Sequence, residues 1–115
     1  MEQQIMNFEV NSNTYKLVIV EEMEDGYLGL THYHENKVAL KRRDLSIMLR
    51  TLKHELTHVW LWEYGHNQHD RQFTNEDVCE IVASSNNFIN SIVKTFKTIY
   101  TPPKSKKSKV GETIE

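Results

Sequence analysis

One cysteine, two prolines and four glycines in 115 residues exclude several protein classes at once. A lone Cys79 cannot form an internal disulfide, so the chain is no disulfide scaffold, and a reducing, cytoplasmic setting is expected. So little proline and glycine rules out collagen-like and low-complexity architectures. No apolar run approaches the roughly 18 residues that cross a bilayer. The opening Met1-Glu2-Gln3-Gln4-Ile5-Met6 has neither the charged start nor the apolar stretch of a secretory signal. No membrane association is expected. Nor is there an excess of charge of one sign: 14 basic and 16 acidic residues give −2, which argues against a nucleic-acid partner.

What is present is ordinary for a small folded protein, with 38% hydrophobic and 26% charged residues. The length suits one domain with a modest core, and no internal repeat is visible. Residues 8–20 read as strand, with a hairpin across Asn11-Ser12-Asn13. Asp25-Gly26 signals a turn. Strands are expected at 27–34 and 37–41. In the second, Val38 and Leu40 alternate against Lys37, Ala39 and Lys41.

From Leu45 the period changes. Asp44 or Ser46 offers an N-cap, and Leu45, Met48, Leu49, Leu52, Leu56, Val59 and Trp60 form one apolar stripe. Gly65 suits the position just past the helix end. After the polar stretch 66–73, Thr74 and Asp77 suggest a capping box. A second helix then carries Val78, Ile81, Val82, Phe88, Ile89, Ile92, Val93 and Phe96 at helical spacing. Pro102-Pro103 stops it near Tyr100. A folded domain over 1–100 is expected, with 101–115, including Lys104-Ser105-Lys106-Lys107-Ser108-Lys109, as a disordered basic tail. The fold class is therefore α+β, a small antiparallel sheet packed on two long helices.

The chemistry lies in the first helix. His54 and His58, four residues apart, project from one face and can donate to a single Zn²⁺. Glu55 is turned from the first histidine by about 100°. From there it can deprotonate a water beside the metal without coordinating, as general base in hydrolysis. The intervening Leu56 and Thr57 are uncharged, as a buried metal helix requires. The histidines fall roughly opposite the main stripe, so this helix should line a cleft.

A catalytic zinc needs a third protein ligand. Candidates are His66, His69, Asp70, Glu76, Asp77 and Glu80. Glu76 is favoured, with Glu80 one turn on to orient a ligating histidine. Its face lies far from the second helix's apolar stripe, but Cys79 and Ala83 are small enough to allow close approach. Outside this set, His32 and His34 share a strand face, and His66 and Tyr64 are candidates to stabilise an oxyanion. Trp60 and Trp62 read as core and cleft wall. Cys79 reads as a small buried residue.

The segment Thr-Leu-Lys-His-Glu-Leu-Thr-His over 51–58, followed by Glu76-x-x-Cys79-Glu80-x-Val82-Ala83, resembles the ImmA/IrrE-type metallopeptidases, zincins of the glutamate-ligand group. The resemblance covers roughly residues 26–90. It implies a minimal zincin-like fold, a Zn²⁺ site of His54, His58 and Glu76, Glu55 as base, and a peptide or protein substrate. The compact form is similar to versions encoded by phages and mobile elements. An extended peptide would add to the sheet edge beside the metal. A second resemblance competes: His69-Asp70-Arg71-Gln72-Phe73 is similar to the His-x-x-x-Phe segment of SprT-type proteases, which would make His69 the third ligand and DNA a partner. A non-enzymatic reading, a metal-stabilised interaction domain, differs from both in requiring four protein ligands on the ion.

Overall fold

The computed structural model describes residues 2–65, 72–100 and 113–114. Five strands and two long helices follow in the order β1 (Glu2–Val10), β2 (Asn13–Val20), β3 (Tyr27–His32), β4 (Lys37–Lys41), α1 (Leu45–Glu63), α2 (Asn75–Ile99) and β5 (Thr113–Ile114). The α+β class is as expected. Most of the basic tail lies outside the described residues, apart from the backbone of β5.

β1 and β2 form a hairpin paired from Glu2↔Val20 to Val10↔Asn13, with an irregularity between Gln4 and Met6. Asn11 and Ser12 both take positive φ, 50° and 66°, the tight turn that suits a right-twisted hairpin. The sheet is mixed rather than antiparallel, which corrects the sequence expectation. Its spatial order is β1-β2-β4-β3-β5. β4 pairs antiparallel with β3 but inserts beside β2, and β2–β4 is parallel from Lys16↔Lys37 to Val20↔Lys41. This central place explains why β4 is not half-exposed. Ala39 and Lys41 are buried as well as Val38 and Leu40, since β4 has a neighbouring strand on each side. Residues 22–25 help to wall a hollow over Ala39 and Leu30 on the face away from the helices.

The main core lies between the other face and the helices. Tyr15, Leu17, Ile19, Val38 and Leu40 meet Met48, Leu52, Leu56 and Val59 of α1, and Ile92, Val93 and Phe96 of α2. Both caps form as the sequence suggests. Asp44 accepts from the Ile47 amide at 3.2 Å, and Thr74 and Asp77 make a reciprocal capping box. Gly65 follows α1 with φ 77°. The far end of α1 is tied to the hairpin turn: Tyr15 donates to Glu63 Oε2 at 2.5 Å and Asn13 to Oε1 at 2.7 Å. Past the end of α2, the Tyr100 hydroxyl donates to the Arg43 carbonyl just before α1. These ties fix how α1 lies across the sheet.

Two apolar expectations for α2 fail. Val78 and Val82 are 50% and 60% exposed, because only Ile81 and Ser85 of the first three turns reach the core. Cys79 is exposed for the same reason, not buried.

Candidate functional site

At about 100° per residue, the side chains of α1 sort into four directions. Met48, Leu52, Leu56 and Val59 enter the core. Thr51, Glu55 and Trp62 form a stripe along β3 and the turn after it. Thr57 and Lys53 turn toward α2, sharing a hollow with Ile81, Val82 and Ser85. His54 and His58 occupy the remaining arc, between β3 and α2. His54 is exposed and His58 half-buried, and their rings meet edge-on with centroids 4.9 Å apart. Two donors of the right kind therefore stand side by side on an accessible strip. Next to them, α1 and α2 enclose an apolar hollow of about 210 Å³ lined by Thr57, Leu61, Phe73, Val78, Ile81 and Val82.

Glu55 has no exposed surface. A carboxylate is costly to bury without compensation, and β3 supplies it. Thr31 Oγ1 donates to Glu55 Oε1 at 2.6 Å. Gly29, two residues earlier on the same strand face, leaves the space in which the glutamate sits. A Cβ there would stand 2.6 Å from Thr51 Cγ2, 3.1 Å from Glu55 Cγ and 3.2 Å from Glu55 Oε2. The helix can come this close to the strand only because residue 29 has no side chain.

Beyond β3 the chain makes a short 3-10 turn over Tyr33–Glu35, closed by Asn36 with φ 50°. The turn presents Tyr33 flat against Trp62, centroids 4.6 Å apart, with His34 edge-on to the same indole at 6.1 Å. Burial, and then the charge of Glu55, hold the Tyr33 phenol protonated above its ordinary range. The strand ends at His32, so the expected pairing of His32 and His34 on one strand face does not occur. His32 lines the opposite face of the sheet beside Lys37 and Ala39, while His34 belongs to the aromatic rim.

The structure thus brings His54 and His58 together, while Glu55 lies on the next arc of the helix, buried against β3. It does not gather Glu76 with them. Glu76 and Glu80 are exposed on the outer side of α2, and among the described residues no group of three His, Cys, Asp or Glu side chains could hold a metal. His66, His69 and Asp70 lie outside the described residues. Tyr64 packs its ring on Trp60 at 4.3 Å, on the α2 side of the helix rather than by the histidines. Among the described residues, the donor chemistry that suits a metal is thus the histidine pair alone.

Three residues went unnoticed in the sequence: Gly29, Thr31 and Tyr33. The first two had a signal, a glycine and a hydroxyl at alternate positions of a strand. Their partner Glu55, however, lies on another element, 24 residues along the chain from Thr31. Comparison with known proteins finds no family model, no curated protein and no solved structure that matches this chain.

Proposed function

We propose that this chain is a zinc-dependent metallopeptidase of minimal, zincin-like design. The observation that carries the reading is the fully buried Glu55, pinned by Thr31 and flanked on the next arc of the helix by His54 and His58. His54 and His58 would hold the ion. Glu76, exposed on the first turn of α2, is the proposed third donor, with His69 as its competitor.

A Zn²⁺ held by His54, His58 and a third donor would supply Lewis acidity for activating water and polarising a carbonyl. Glu55 takes the proton from the attacking water and returns it to the leaving amine. Thr31 keeps Oε1 engaged, so the carboxylate cannot rotate away from that task. The apolar hollow between the helices suits a hydrophobic substrate side chain.

Zinc content and cleavage of an unfolded protein substrate test the reading together. Glu55→Gln is expected to keep zinc and lose about 10²–10⁴-fold in turnover. Full activity in that variant would remove Glu55 from the mechanism. Glu76→Ala should lose metal while His69→Ala retains it. The opposite pattern assigns the site to His69 and favours the SprT-like reading.

A further inference from the structure

We draw no further inference here: the strongest candidate, the hollow on the sheet face away from the helices, rimmed by Glu22, Glu24 and Asp25 over Leu30 and Ala39, is an acidic cluster, and nothing among the described residues shows what covers it.

Discussion

Thr31 and Glu55, on different elements, share a 2.6 Å hydrogen bond that ties the buried carboxylate of α1 to the end of β3. The bond compensates a charge removed from water, and hydrogen bonds to charged groups contribute about 1.5–3 kcal/mol. Thr31→Val keeps the shape and removes the donor, so it should destabilise the fold by that amount. Thr31→Ser keeps the donor and should lose well under half as much. Urea unfolding of both variants checks this, and equal midpoints would deny the hydroxyl its role.

Gly29 makes the approach of α1 to β3 possible. Gly29→Ala would set a methyl 2.6 Å from Thr51 Cγ2. Thr51 is stiff, because its hydroxyl is bonded to the Ile47 carbonyl at 2.8 Å. The overpacking should cost about 1–3 kcal/mol. Thr51→Ser removes Cγ2 and keeps the hydroxyl, so the double variant should recover much of that loss. A double-mutant cycle by thermal or urea unfolding measures the coupling. Purely additive effects would place the strain elsewhere.

The two helices differ in how their apolar residues are used. Leu52 is fully buried, and Leu52→Ala should cost about 2–5 kcal/mol. Val82 belongs to an equally regular stripe but is 60% exposed, so Val82→Ala should change stability by no more than about 0.5 kcal/mol. Chemical denaturation separates the two. A large loss at Val82 would mean that the first turns of α2 are packed in solution.

Three tyrosines with raised values tie stability to alkaline pH. Burial, and then the bond to Glu63 and its charge, raise the Tyr15 phenol far above its ordinary value of 10.0. Burial also raises Tyr33 and Tyr100. A raised folded-state value means that the unfolded chain releases its protons first. Their contribution is therefore complete below about pH 10 and is lost as pH rises from there toward the folded-state values. Urea midpoints should hold steady up to about pH 9 and fall toward about pH 11. Tyr15→Phe should start from a lower stability and show a shallower decline.

The helices were legible in the sequence because their signals are local. Asp44, Thr74 with Asp77, and Gly65 mark their ends within a turn of the residues they cap. The hairpin at Asn11-Ser12 was legible for the same reason. Strand order was not: nothing in 37–41 states that β4 slips between β2 and β3, the placement in which Ala39 and Lys41 are buried. The break after His32 rests on Asn36 in a left-handed conformation, a cue that a strand pattern overrides. At the site, the spacing of His54, Glu55 and His58 fixed their mutual directions, since a helix leaves little choice. The seat of Glu55 on Gly29 and Thr31 depends on how α1 crosses the sheet, which periodicity does not encode. Nor does a regular apolar stripe tell where the opposing surface stops, as Val78 and Val82 show.

The chain's two tryptophans stand two residues apart on α1 and look in different directions. Trp60 leans on Phe88 of α2 at 5.4 Å and on Tyr64, whereas Trp62 lies flat on Tyr33 beside the buried carboxylate. The molecule thus carries two built-in chromophores in distinct surroundings. With Trp60 replaced by phenylalanine, the remaining emission comes from the rim next to Glu55 and follows events there without any attached dye. With Trp62 replaced, it follows the contact between the helices. A single stretch of α1 thereby allows changes at the Tyr33–Trp62 contact and the parting of the helices to be watched as separate optical signals.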